Sequence, residues 1–116
     1  MDKNEILSFR DLETKSITVP AWGKDIHIRQ LSAYERAILN EKTLPLQESD
    51  KDSDQIEVMA LACAYFICDE NGTRLFTDED AVALRDKSAE ALQFIFMEGM
   101  KYNAMTAEAR EKAKKK

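Results

Sequence analysis

The sequence predicts an α+β fold that is mainly α, with an N-terminal β-hairpin, the start of a small antiparallel sheet, packed on a bundle of about four helices. Three observations carry this. Apolar and polar side chains alternate with a period of two on both sides of Pro20-Ala21-Trp22-Gly23-Lys24. Residues 54–68 and 89–103 carry apolar side chains at helical spacing. Helix-capping and turn signals separate these segments. At 116 residues the chain makes one domain, which buries roughly two-thirds of its unfolded surface.

Residues 1–15 are charged, with one short apolar group at Ile6, Leu7 and Phe9. They read as a flexible N-terminal arm or a loose helical turn. The single domain is expected over 16–106, followed by a polar basic tail over 107–116.

In the hairpin, Ile17 and Val19 alternate with Ser16 and Thr18, and Ile26 and Ile28 alternate with Asp25, His27 and Arg29. Pro20 cannot donate to a ladder and so belongs at a strand end. His27 falls on the polar face without an evident partner and reads as a surface residue. Trp22 sits at the turn. It either folds over the end of the sheet or stands out as an interface anchor.

Ser32-Ala33-Tyr34-Glu35 is a capping box that opens a helix. The helix is expected to run to about Lys42 and to stop at Leu44-Pro45-Leu46. Residues 47–54, QESDKDSD, have no apolar side chain and read as a mobile linker. The next helix runs from near Asp54 to Cys68. Ile56, Met59, Ala60, Cys63, Ala64 and Ile67 form one stripe, and Val58, Leu61, Ala62 and Tyr65 widen it to most of the circumference. A helix so apolar must be covered on most sides and forms the centre of the core. On that helix Cys63 and Cys68 point about 140° apart, too divergent to bridge. They read as small buried hydrophobes in a reducing compartment.

DENGTRLFTDED, residues 69–80, invites comparison with a calcium loop. With Gly72 at the sixth position, Asp69 and Asn71 would be ligands, but Ile67 would hold the first position and Asp78 the last, where a Glu is usual. The segment reads instead as a turn. Asn71-Gly72 supplies positive φ, Thr73 to Phe76 is extended, and Thr77 caps a short helix from Asp78 to about Arg85. Ser88 caps the last long helix, which ends at Asn103. On it Leu92, Ile95, Phe96 and Gly99 face one way, and Gly99 allows close approach of another helix. Phe94, Met97 and Met100 spill onto a second side.

A net charge of −5 argues against a general nucleic-acid binder, which is usually basic. No apolar run approaches the roughly 18 residues of a membrane span, and the N-terminus lacks the apolar region of a signal peptide. A cytosolic protein without cofactor or metal is expected. GxSxG, HExxH and a phosphate-cradling glycine loop are all missing from the sequence, so it does not read as an enzyme. The two long apolar helices carry more apolar circumference than a small domain covers, which points to a partner or to self-association. The methionines suit adaptable packing. Trp22, Phe94, Met97 and Met100, large and apolar and placed outside the central stripe, are the candidate partner-binding residues.

Several stretches taken together resemble the tail assembly chaperones of long-tailed bacteriophages and prophages. They are the Trp22-Gly23 turn, the Arg29-Gln30-Leu31-Ser32 entry to a helix with Glu35-Arg36, and the Asp69-x-x-Gly72 turn leading to Leu75-Phe76-Thr77. The Lys87-Ser88 step and the Asn103-x-Met105-Thr106 exit complete the set, which spans about residues 16–106. The resemblance implies a non-catalytic protein that binds the long, helical tape measure protein and keeps it soluble while tail-tube subunits polymerise around it. It implies self-association, with the tail tube protein as a further candidate partner. It also implies action in the host bacterial cytoplasm and absence from the finished virion. The alternative is a structural tail or connector subunit, which would remain in the particle.

Overall fold

The computed structural model describes residues 1–106; the expected basic tail, 107–116, lies outside the described residues. The element order is α1 (Lys3–Ser8), β1 (Thr14–Val19), β2 (Lys24–Arg29), α2 (Ala33–Gln47), α3 (Asp52–Phe66), β3 (Ile67–Cys68), α4 (Ala81–Leu84) and α5 (Ala89–Tyr102). The sheet is antiparallel, in the order β1-β2-β3. It packs on the helices, as the α+β reading expects.

The hairpin forms where the alternation puts it. Its register runs from Thr14 opposite Arg29 to Val19 opposite Lys24. The N–H groups of Trp22 and Gly23 both donate to the Val19 carbonyl, at 3.0 and 2.9 Å. Gly23 takes φ +61°, a backbone region that a Cβ resists. Val19 and Ile28 are fully buried and tie the sheet to the helices.

The sequence-based account of α2 needs correction. Pro45 does not stop the helix, which continues to Gln47. Pro45 lies in the last turn, where the one hydrogen bond it removes leaves only the carbonyl of exposed Glu41 to water. Beyond it, Gln55 Nε2 donates to the carbonyls of Leu46 (3.0 Å) and Ser49 (2.9 Å), which holds the end of the helix. The expected linker over 47–54 shrinks accordingly to residues 48–51. The Ser49 hydroxyl ties it down by donating to the Asp54 carboxylate at 2.6 Å.

The second correction is at the end of α3. The helix stops at Phe66, not Cys68, and Ile67 and Cys68 form a third strand paired with Ile28 and His27. Cys63 and Cys68 are therefore not on one helix, although both are buried and free. Two arginines satisfy the orphaned helix-end carbonyls. Arg29 Nε donates to the Tyr65 carbonyl at 2.7 Å, and Arg74 Nε to that of Ala64 at 3.2 Å. Cations at a helix C-terminus also suit its dipole. Arg29, placed by alternation on the polar face, is thus drawn inside, to 9 % exposure. His27 beside it is half-buried.

The acidic segment is a turn. Asp69 Oδ1 accepts the N–H groups of Asn71 (2.8 Å) and Thr73 (3.0 Å), and Gly72 has φ +87°. Thr77 and Asp80 cap each other reciprocally before α4. That helix has four residues, Ala81–Leu84, shorter than the expected span from Asp78 to Arg85. α5 begins and ends as its caps predict, with the Ser88 hydroxyl accepting the Ala91 N–H at 3.1 Å and Asn103 closing the helix.

α3 runs between two core clusters. Ala60, Cys63 and Ala64 face the first, with Val19, Leu84, Leu92 and Ile95. Ala62, Tyr65 and Phe66 face the second, with Ile28, Leu31 and Leu39. It is the central helix its nearly all-round apolarity requires.

Candidate functional site

One polar network sets the positions of α2, α3 and α5. Arg29 reaches from the end of β2 to Glu35 in the first turn of α2, with its two terminal nitrogens at 3.2 and 2.7 Å from the carboxylate oxygens. Its third donor holds the end of α3. Glu35 also accepts the Ser32 N–H at 3.1 Å, completing the capping box. Burial acts to raise the pKa of Glu35, but the bonds from Arg29 and Ser32 and the arginine charge outweigh it and hold the carboxyl below its ordinary value. Asn103 ties α5 to the same junction. Its Oδ1 accepts the Leu31 N–H at 2.7 Å, and its Nδ2 donates to the carbonyls of Arg29 (3.2 Å) and Gly99 (2.9 Å).

A second clasp joins α2 to the loop before α4. Asp78 accepts from Lys42, from Arg74 at 3.2 Å and from the Tyr65 hydroxyl at 3.3 Å. Arg74 also lies over the Tyr65 ring, 4.1 Å from its centroid. Burial would raise the Asp78 pKa; the lysine and arginine bonds overcome it and leave the carboxyl lowered.

Held in this way, the three helices enclose an open groove of about 300 Å³. α2 contributes Leu39, Asn40, Thr43 and Gln47; α3 contributes Gln55, Val58 and Ala62; α5 contributes Phe96 and Met100; Met105 closes one end. The α3 and α5 residues are spaced three or four apart, as are Leu39, Thr43 and Gln47 of α2 with Asn40 beside them, and the amides of Asn40, Gln47 and Gln55 accompany the apolar Leu39, Val58, Ala62, Phe96 and Met100. A surface with this composition has room for another apolar side-chain row, and methionine side chains adapt to more than one shape. A smaller hollow of about 220 Å³ between α2, α3 and α4 is crossed at its edge by the Arg85–Glu57 ion pair at 2.8 Å.

Of the candidate residues from the sequence, Met100 lines the groove. Phe94 packs half-buried against the first core cluster. Met97 is 46 % exposed on the outer side of α5, and Trp22 is 37 % exposed at the hairpin turn. The structure does not bring these three to the groove. Sequence reasoning missed Leu39, Val58, Phe96 and Met105 as lining residues. The i, i+4 pair Phe96–Met100 was a usable signal, because it marks a row beside the buried Leu92–Ile95 face.

The thiols are inert. Burial pushes Cys63 up to about 12, and burial first of all raises Cys68 as well, so neither is a thiolate at neutral pH. Among the described residues, no helix is long and apolar enough to cross a membrane.

A small α+β body whose helices frame an adaptable apolar groove belongs to the class of protein-binding modules. Comparison with known proteins narrows this. The family model described as phage tail assembly chaperone matches residues 5–115, and the chain belongs to that family. A solved structure, that of the bacteriophage HK97 tail assembly chaperone, has the same fold, with a TM-score of 0.63 at 13 % identity over 85 % of this chain and 94 % of that one. No curated protein sequence matches this chain.

Proposed function

We propose that this phage tail assembly chaperone binds the tape measure protein and keeps it soluble until tail-tube subunits enclose it, without catalysing a reaction. The observation that carries this is the groove between α2, α3 and α5 in a member of the family. A tape measure protein is long and helical, and its apolar rows need cover before the tube forms. A groove floored by aliphatic, aromatic and methionine side chains accepts such rows without demanding one sequence. Met100 is the central contact, and Phe94, Met97 and Trp22, which lie away from the groove, are separate candidate contacts. The net charge of −5 keeps the complex dispersed. In this reading the protein self-associates, acts in the host bacterial cytoplasm, meets the tail tube protein as it displaces the chaperone, and is absent from the finished virion.

The test is co-expression with the long helical product of the same phage. The tape measure protein should be soluble when this chain is present and aggregate when it is absent. Equal solubility in both cases would sink the reading. Recovery of this chain in stoichiometric amounts from purified particles would instead support a structural subunit.

A further inference from the structure

The groove opens at one end on an acidic loop and at the other on the point where the chain turns towards its basic tail. α5 ends in a backbone reversal. The Met105 N–H donates to the Met100 carbonyl at 2.8 Å and the Ala104 N–H to the Lys101 carbonyl at 3.1 Å, with Ala104 at φ +53°. This is the paired-bond helix stop that a glycine usually makes. It turns the chain off the α5 axis and packs Met105 on the cluster that holds Leu39 and Ala62, where it lines the groove. Residues 107–116 follow, and in them Arg110, Lys112, Lys114, Lys115 and Lys116 outnumber Glu108 and Glu111. At the other end Gln47 and Gln55 flank the 48–51 linker, and Gln55 Nε2 holds the Ser49 carbonyl at 2.9 Å. Around that linker Glu48, Asp50 and Asp52 are exposed, and none of them has an ion pair among the described residues. Lys51 is the one cation between residues 48 and 54.

We propose that residues 107–116 fold back along the α2–α3–α5 groove of their own chain, with tail lysines on Glu48, Asp50 and Asp52, and that a client must displace them. The displacement rests on the groove being the client site. The reach fits. From Leu39 to Gln47 the groove follows about 12 Å of helix. Ten residues span about 15 Å as a helix and up to about 33 Å extended, so tail lysines reach the loop in either form. The side chains fit as well. A groove of about 300 Å³ takes Ala107, Ala109, Ala113 and the aliphatic stems of lysines, whose ammonium groups stay in water. A separate peptide gains too little from so small a contact to stay bound. A tethered one is present at an effective concentration on the order of millimolar and needs no second molecule to be immobilised. The ionic part acts between exposed charges and weakens with salt. A client row of large apolar side chains gains more in the groove than three alanines do, so it displaces the tail.

The test uses the full chain with Ala113→Cys carrying a nitroxide spin label; Cys63 and Cys68 are buried and stay unlabelled. Nuclear magnetic resonance reads the signals of the Asn40, Gln47 and Gln55 side-chain amides and of the Met100 methyl. At low salt these should lose most of their intensity, and they should recover it in about 1 M salt, where the screening length is about 3 Å. Reversing the loop charges (Glu48→Lys/Asp50→Lys/Asp52→Lys) or the tail charges (Lys112→Glu/Lys114→Glu/Lys115→Glu) should restore the signals, and combining the two reversals should quench them again. Circular dichroism checks that each variant folds. An unquenched parent, quenching that survives salt and both single reversals, or a double reversal that stays unquenched overturns the proposal. So does quenching of an isotope-enriched, unlabelled chain by a spin-labelled second chain, which would place the tail on another copy. Displacement is read by co-sedimentation with the tape measure protein, of which the tail-reversed variant should retain more than the parent. Equal retention with the tail docked overturns the competition. If the tail docks and neither form keeps the tape measure protein soluble, only the chaperone reading falls. If the tail does not dock and that protein is still kept soluble, only this proposal falls.

Discussion

Gly99 on α5 lies directly against the ring of Phe66 at the end of α3: a Cβ at Gly99 would stand 2.1 Å from Phe66 Cδ2. Phe66 is fully buried and has no free direction in which to move. The two helices can approach this closely only because position 99 has no side chain.

Gly99→Ala therefore sets two effects against each other. Alanine favours a helix interior by about 1 kcal/mol over glycine. Overpacking a filled core costs about 1–3 kcal/mol, and a 2.1 Å clash with a buried ring belongs at the upper end. The expected net result is destabilisation by about 1–2 kcal/mol, measured by urea denaturation. A more stable variant would mean that α5 shifts freely along α3.

Arg29→Met removes the three donors that hold Glu35 and the Tyr65 carbonyl and leaves a partly buried carboxylate without its cation. Breaking such a pair by removing one partner costs about 3 kcal/mol. Replacing both partners in Arg29→Met/Glu35→Gln should recover part of that loss. The double-mutant cycle in chemical denaturation measures the coupling.

Glu35 and Asp78 both have folded-state pKa values lowered from the ordinary carboxylate values of 4.5 and 3.8. A depressed carboxyl binds fewer protons in the native state than in the unfolded one. Its stabilisation is complete above the unfolded pKa and disappears as pH falls through the folded pKa. Melting temperature should be flat near neutrality and fall below about pH 4.5. In Glu35→Gln that acid fall should be shallower than in wild type. An equal fall in both would remove Glu35 from the account.

Cys63, pushed to about 12 by burial, and Cys68, buried and paired through its backbone with His27, should resist Ellman's reagent in the native protein. Labelling of both should follow the unfolding rate and become immediate in denaturant. Rapid labelling of either thiol in native buffer would show that the end of α3 opens locally.

Met100→Asp places a charge in the groove floor. Burial of one such side chain is worth about 1.5–3 kcal/mol, so the proposed grip on the tape measure protein should weaken about ten- to hundredfold. Met97→Asp, on the outer side of α5, should weaken it less. Co-sedimentation with the tape measure protein, with circular dichroism as a folding check, compares the two. A stronger effect at Met97 would move the contact surface out of the groove.

Signals that act over three or four residues were legible in the sequence. The Ser32–Glu35 capping box, the Ser88 and Asn103 ends of α5, the glycine turns and the near all-round apolarity of α3 are set by neighbouring side chains competing for the same backbone groups. They determined the hairpin, the long helices and which helix is central. Tertiary structure alone decided the rest. Ile67-Cys68 became a strand because β2 offered its edge, and two residues have no periodicity to read. Arg29 went inside because the carbonyl of Tyr65, 36 residues away in sequence, needed a donor. Pro45 stayed in its helix because Gln55 reached back to hold the end. The groove exists because one row from each of three helices was left facing the others. A row's spacing is local, but the face it meets depends on the rotation of the packed helices, and no short segment of the chain encodes that rotation.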